Sequence, residues 1–356
     1  MSEEPQESAG LDIVSDPAPR RAVDEDGEKK KRKRWLIPVC VLAGFIVLAL
    51  VAGGLIWAKM TQTLNNIPRT PDLPLDPLPV AVDPGDGGTP SADQAMNFVI
   101  LGSDSRGSDQ GRSDVLMLGH LNAARDHLYL ISFPRDMYVE IPGYGKNKIN
   151  AAYAFGGPAL TIKTLKEMLD IPIHHAATID FEGFIGLSDA IGGVTIDNDI
   201  TFTSTTFGAP ITFPKGKLTL SGNDLLIYCR ERHAVPKGDL DRAHHQRMVL
   251  KAMIQKIGSR ETLTNPSAVM QIADKLGSFL TLDSQFTNDA IIQLATSLNL
   301  KGSGSIVDLQ APISGFGTSP AGASIDVVDT KKLDALAKAL QDDDVESYIT
   351  DYGTSY

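Results

Sequence analysis

Cysteine is scarce in this chain: its 356 residues hold two, Cys40 and Cys229. Cys40 lies inside a long uncharged apolar run and Cys229 in a distant segment, which excludes an intramolecular disulfide. The folded part must therefore hold together by its core alone, and a hydrophobic content of 42% is ample for one. Cys229 follows the apolar residues LLIY, so it reads as a packed thiol rather than a nucleophile. Glycine loops of the usual phosphate-binding kinds are missing, as is G-x-S-x-G. That removes the common nucleotide-loop and serine-hydrolase mechanisms. An excess of positive charge is also missing: 33 Lys and Arg stand against 44 Asp and Glu, for a formal net charge of -11. Nucleic acid is excluded as a partner on that ground. The adjacent pairs His174–His175 and His244–His245 lack a third ligand at suitable spacing, so neither makes a zinc site. There is no internal repeat.

What is present begins with Trp35–Trp57, 23 residues without a charge and with a tryptophan at each end. A helix of that length rises roughly 35 Å, enough to cross a hydrocarbon core of about 30 Å. The basic run KKKRKR at Lys29–Arg34 abuts it on one side only, which predicts residues 1–34 in the cytoplasm and the rest outside. A cleaved signal peptide has a shorter apolar core and a small-x-small site, so this run reads as a signal anchor. Residues 1–34 form a polar, acidic tail without a periodic apolar face, and they read as disordered. Residues 58–96 are a spacer, with seven prolines between Ile67 and Asp93. The expected topology is a single-pass protein of the cell membrane carrying one outer domain over residues 97–352.

That domain alternates strand and helix patterns. Asn97–Gly102 is a continuous apolar run, the pattern of a strand buried on both faces. Residues 114–134 read as two strands joined near Asn122–Asp126. Helical stripes follow at 157–170, 181–193, 221–229, 239–258, 266–277, 287–298 and 330–341. Strands are expected near 175–180, 194–197, 305–310 and 324–328. The fold class is α/β, a three-layer α/β/α domain around a mixed sheet.

Polar residues directly after buried strands are the informative ones, because strand ends are where α/β sheets hold ligands. Asp104 and Arg106 follow the first strand, Arg112 and Asp114 precede the second, and Arg135 and Asp136 follow the third. Paired carboxylates serve acid/base work or hold a hard divalent cation, and neighbouring arginines favour a phosphate-bearing ligand. Surface turns with internal salt bridges account for the same spacing. The stretch 228–247, YCRERHAVPKGDLDRAHHQR, gathers four arginines and three of the seven histidines. Arg230 and Arg232 are two apart, so an extended segment would point both to one side. Asp239 or Asp241 can cap the next helix, which puts Arg242 in its first turn, where the helix dipole disfavours a cation. A bound anion would relieve that conflict. His245 and Gln246 share a face with Arg242. A solvated basic helix explains Lys237 and Arg247 well and Arg242 poorly.

These residues, in this order, resemble the LytR-CpsA-Psr family of bacterial cell-envelope proteins. The segments that carry the likeness are LGSDSR, GRSDVLML, ISFPRDMYVEIPGYGKNKINAAYAFGG, FEGF with LSDAIGGV, and LSGNDLLIYCRERHAVPKGDLDR. The resemblance implies transfer of a phosphate-linked glycopolymer from undecaprenyl pyrophosphate to a muramic acid hydroxyl of peptidoglycan. It implies Mg²⁺ (or Mn²⁺) on Asp104 and Asp114. It places the pyrophosphate on Arg135, Arg230, Arg232, Arg242 and Gln246, with Arg106 and His245 beside them. Arg135, Asp114, Arg230 and Arg232 are then the catalytic set, and Asp114 and Asp136 are candidates for the base. The family usually reads RQQ where this chain has His245–Arg247. Three other functions share these residues: hydrolysis of the pyrophosphate, glycosylation of a surface protein, and non-catalytic binding of a polyprenyl phosphate by a regulatory membrane protein.

Overall fold

The structure is a computed structural model that describes residues 58, 61–78, 94–103, 113–206 and 208–354. The expected tail and apolar span lie outside the described residues. Among the described residues no helix is long and apolar enough to cross a membrane. The chain divides into Met1–Leu55 and Ile56–Tyr356, and the second unit holds everything described below.

Along the chain the elements are β1 (Arg69–Thr70), β2 (Met96–Ser103), β3 (Ser113–Leu121), β4 (Leu128–Ser132), β5 (Tyr138–Ile141) and β6 (Gly145–Lys148). Then come α1 (Asn150–Leu169), β7 (His175–Asp180), α2 (Phe181–Ala190), β8 (Val194–Asn198), β9 (Phe202–Ser204), β10 (Ile211–Phe213) and β11 (Gly216–Leu220). Helices α3 (Gly222–Arg230), α4 (Asp239–Ile257), α5 (Arg260–Leu263) and α6 (Pro266–Phe279) lead to β12 (Leu280–Asp283) and α7 (Asn288–Ser297). The chain closes with β13 (Ile306–Gln310), β14 (Ile313–Thr318), β15 (Ser324–Val328), α8 (Thr330–Gln341) and α9 (Val345–Tyr352).

Seven strands form one mixed sheet in the order β1-β12-β7-β2-β3-β4-β13. The apolar run of β2 sits in the middle, parallel to β7 on one side and antiparallel to β3 on the other. Strand periodicity then sorts side chains between two cores. Val99, Leu101, Leu116, Leu118, Tyr129 and Ile131 face one side, against Ile162, Leu165, Leu336 and Leu340 of α1 and α8. Ile100, Val115, Met117, Leu128 and Leu130 face the other, against Leu225, Tyr228, Val249 and Met253 of α3 and α4. Each fully buried aliphatic side chain contributes roughly 1.5–3 kcal/mol, so helices are held to both faces. Close packing leaves no room at Gly119, where an added Cβ would lie 2.1 Å from the ring of Phe98.

Helix α1 begins seven residues before its expected start and kinks at Gly156–Gly157, ahead of Pro158. Gly157 has φ +62°, a region that L side chains rarely adopt. Two parts of the chain differ from the expected plan. Residues 61–78, read as spacer, join the fold: β1 pairs in parallel with β12. Asp76 takes Lys166 Nζ at 2.7 Å and the Ile173 amide at 2.9 Å. A two-residue strand inside proline-rich sequence has no periodicity to announce it. Arg230 ends helix α3 rather than lying in an extended segment, and only Arg232 follows in the loop.

Candidate active site

Three chain segments converge at the end of the sheet where β2 and β4 stop and β3 begins. Between β2 and β3 the register shifts: Gly102 pairs with Val115 and Ser103 with Ser113, which leaves Asp114 as the inserted residue of a β-bulge. Bulges locally increase twist and are frequent beside active sites. Asp104, Arg106 and Arg112 lie outside the described residues.

The second segment is the turn after β4. Phe133 N–H donates to Leu116 O at 2.9 Å and Met137 N–H to Pro134 O at 3.0 Å, and these bonds set the backbone on both sides of Arg135. The third is the start of α4. Its N-cap position is Gly238, with φ +57°, rather than Asp239 or Asp241, and no side chain caps it. Asp241 instead accepts from the Lys237 amide at 2.8 Å. Leu240 joins the core of the α1 face, whereas Val249, Leu250 and Met253 join the other, so α4 starts over the sheet end where the two layers meet.

This start sets Asp239 among three arginines. Its carboxylate lies 2.6 Å from Arg135 Nη2, 3.3 Å from Arg242 Nη2 and 3.6 Å from Arg232 Nη1. Asp239 thereby answers the misplaced charge of Arg242: an acid in the first turn suits the dipole and pairs with the base three residues on. Arg135, Asp239, Arg242 and Gln246 line one cavity with Phe133, Pro134 and Asp326. Gln246 donates to Cys229 O at 3.2 Å, which ties α4 to the end of α3 at Arg230. Lys148 reaches Asp136 at 2.8 Å on the neighbouring side. Guanidinium forks presented from separate elements suit the bidentate binding of phosphate oxygens.

The loop that carries Arg232 is built around a buried acid. Glu231 accepts from Ser204 Oγ and from the amides of Arg232, His233 and Ala234 at 2.9, 2.7 and 3.1 Å. Burial raises its carboxyl, and those hydrogen bonds overcome the effect and hold it below the usual range.

Two residues of the 228–247 stretch are not where their sequence pattern suggests. His245 is fully buried and stacked on Tyr228 (ring centroids 4.3 Å apart) and Phe202 (5.2 Å), inside the core of the α3–α4 face. Burial and the neighbouring His244 push its imidazole down to about 4, so it is neutral at ordinary pH and does not join the arginines. Arg247 is 3% exposed rather than solvated. It donates to Ser132 Oγ at the end of β4 and lies 4.0 Å from Asp308 of β13, while burial lowers it to about 10. Helical spacing alone does not say how far a helix sinks into the sheet, and α4 is buried on more than one side. Lys237 is exposed, as expected. Cys229 is fully buried, and burial raises its thiol.

Sequence reasoning missed Asp326 as a member of the site. It lies on β15 (SIDVV), and the strand pattern alone does not mark it. Asp239 was read only as a cap.

The LytR_cpsA_psr family model matches residues 61–342. The chain belongs to this family. A relative from Bacillus mycoides, the polyisoprenyl-teichoic acid–peptidoglycan teichoic acid transferase TagU, is 33% identical over 268 residues, covering 72% of this chain and 82% of that protein. The TagU of Oceanobacillus iheyensis is 31% identical over 306 residues, covering 80% and 90%. Among solved structures, Bacillus subtilis TagV has a TM-score of 0.60 at 28% identity, covering 71% of this chain and 98% of TagV. TagT bound to LIIa-WTA has a TM-score of 0.57 at 30% identity, covering 74% and 99%. The family therefore shares the mixed-sheet α/β fold described above.

Proposed function

We propose that this protein transfers a phosphate-linked wall glycopolymer from a polyprenyl pyrophosphate donor to a muramic acid hydroxyl of peptidoglycan. The observation that carries the reading is the convergence of Arg135, Arg232 and Arg242 on Asp239, which lines a cavity together with Arg135 and Arg242. A charged cluster of this kind supplies the fixed donors on which phosphoryl transfer depends, because the protein's contribution there is positioning and charge neutralisation. The named relatives act on polyisoprenyl-linked teichoic acid and peptidoglycan, which supports the same donor and acceptor classes here. The pyrophosphate bond of such a donor supplies the driving force, so no nucleotide is required.

The reading includes Mg²⁺ or Mn²⁺ at the same end of the sheet. In the sequence Asp104 follows Ser103, the last residue of β2, and the register makes Asp114 the bulge residue of β3; the pair would offer the hard oxygens that Mg²⁺ or Mn²⁺ takes. Among the described residues no group of three or more His, Cys, Asp or Glu side chains could hold a metal ion. Bound by Asp104 and Asp114, the ion would neutralise phosphate charge. Arg135, Arg230, Arg232 and Arg242 would hold and orient the pyrophosphate, and Gln246 would fix the spacing between α3 and α4. The reading includes an anchor at residues 35–57 that keeps the domain outside the cell membrane, within reach of a lipid-linked donor.

The test is an assay of the full-length protein in lipid vesicles with a polyprenyl pyrophosphate-linked glycan. Glycan phosphate should appear on muramoyl-containing strands, and release of polyprenyl phosphate should need that acceptor. Equal release without acceptor would identify a hydrolase, glycan on a protein acceptor alone would redirect the specificity, and no turnover would leave a binding protein.

A further inference from the structure

We infer that Asp326 is the catalytic base that takes the proton from the acceptor hydroxyl. This rests on the transferase reading above. Among the described side chains three carboxylates stand near the arginines, and their surroundings separate them. Asp239 is held by Arg135 at 2.6 Å with Arg242 and Arg232 close by. Asp136 is held by Lys148 at 2.8 Å and has Arg135 Nε at 3.9 Å. Asp326 lines the same cavity as Arg135, Asp239, Arg242 and Gln246. Among the described residues no salt bridge or side-chain hydrogen bond engages its carboxylate, so a proton can be taken without first breaking an ion pair.

Its position is fixed by backbone. The Asp326 amide donates to Asp136 O at 2.9 Å, and Met137 bridges Asp326 in parallel, so β15 lies against the turn that carries Arg135. The antiparallel partner β14 pairs Phe316 with Asp326 from the other side. The residue is 8% exposed. Burial raises its carboxyl, the charges of Asp136 and Asp239 raise it further, and Lys148 and Arg135 offset part of this, leaving it at about 6. A general base works best with a pKa near the operating pH. Asp136 and Asp239 each already pair with a cation, at 2.8 and 2.6 Å, whereas Asp326 does not.

In the step, the acceptor oxygen forms a bond to the phosphorus that bears the glycan. The bond from that phosphorus to the bridging oxygen breaks, and polyprenyl phosphate departs with the electron pair. The hydroxyl proton passes to a carboxylate oxygen of Asp326.

The experiment compares full-length wild type, Asp326→Asn and Asp326→Glu in the vesicle assay across pH, with donor binding measured separately by calorimetry. Wild type should lose kcat/KM below about pH 6. Asp326→Asn should lower kcat by about 10²–10⁴-fold and abolish that acid limb, with donor affinity changed by less than roughly threefold. Asp326→Glu should recover part of the rate and restore a limb. A melting curve for Asp326→Asn at or above that of wild type excludes misfolding. An Asp326→Asn rate within about tenfold of wild type, or an acid limb that survives the change, overturns the assignment. If wild type passes the phosphate to water instead, the transferase reading fails, and Asp326 is judged by the same two readouts on hydrolysis.

Discussion

The two ends of the central sheet both bury polar side chains, and they treat them in opposite ways. Where β2 begins, Asn97 N–H donates to His174 Nδ1 at 2.9 Å, its amide nitrogen donates to Pro172 O at 2.9 Å, and its oxygen meets His120 Nδ1 at 2.7 Å. His120 Nε2 continues to Asp343 at 2.8 Å, and the Ala123 amide donates to the second oxygen of Asp343 at 2.9 Å. Burial raises the Asp343 carboxyl, and His120 and the Ala123 amide overcome this and hold it low. Each of these polar side chains has a partner there. Where β2 ends, three guanidinium groups share one carboxylate, and Asp326 is pushed up by two like charges. A satisfied network rigidifies a fold, whereas a crowded one stores charge for a ligand to resolve.

Breaking each end should therefore be read out differently. Of the two ends, the larger effect is expected on activity: Arg242→Ala should lower transfer by about 10²–10³-fold, the cost of losing one fixed donor to a charged transition state. Its melting temperature should change little, and a collapse of folding instead would make the arginine cluster a structural element. At the opposite end, His120→Ala should lower unfolding free energy by roughly 2–3 kcal/mol by orphaning Asn97 and Asp343. Denaturant titration would measure this, and transfer per folded molecule should stay near wild type.

Asp326 sharpens the comparison through pH. Its folded pKa of about 6 stands above the ordinary 3.8, so the fold favours the protonated acid. That contribution is present below about pH 3.8 and is lost as pH rises through 6. Asp326→Asn, which imitates the protonated form, should gain stability above pH 6, on the order of 2 kcal/mol. A melting temperature that falls instead would mean Asp326 is stabilised as an anion. Asp343 has the opposite sign: its contribution is present above the ordinary carboxylate pKa and is lost as pH falls through its lowered value. The smallest effect belongs to His245. With its imidazole pushed down to about 4 and stacked in the core, His245→Phe should keep transfer within roughly twofold from pH 5 to 8. A lost pH limb would return it to the site.

Much of this was readable from residue order. The apolar run of β2, the hairpin after it and the helix at Asp239 follow from periodicity, because core burial repeats at fixed spacing. Arg242 was singled out because a cation conflicts with a helix start. Other features depend on distances along no single element. β1 enters the sheet through backbone pairing alone. His245 and Arg247 are buried because α4 sinks between β8, β4 and β13, a depth that helical spacing does not encode. Asp326 reaches the arginines by a parallel bridge to Met137, 189 positions earlier in the chain, and no local pattern marks such a contact.

The central claim is that the arginines around Asp239 form a pyrophosphate clamp. Calorimetric titration of the wild-type protein and Arg242→Gln with a short-chain polyprenyl pyrophosphate, and with the corresponding alcohol, tests it most directly. The account predicts that wild type prefers the pyrophosphate and that Arg242→Gln weakens its binding at least about tenfold, while the alcohol binds both proteins alike. Equal affinity of the two proteins for the pyrophosphate would contradict it.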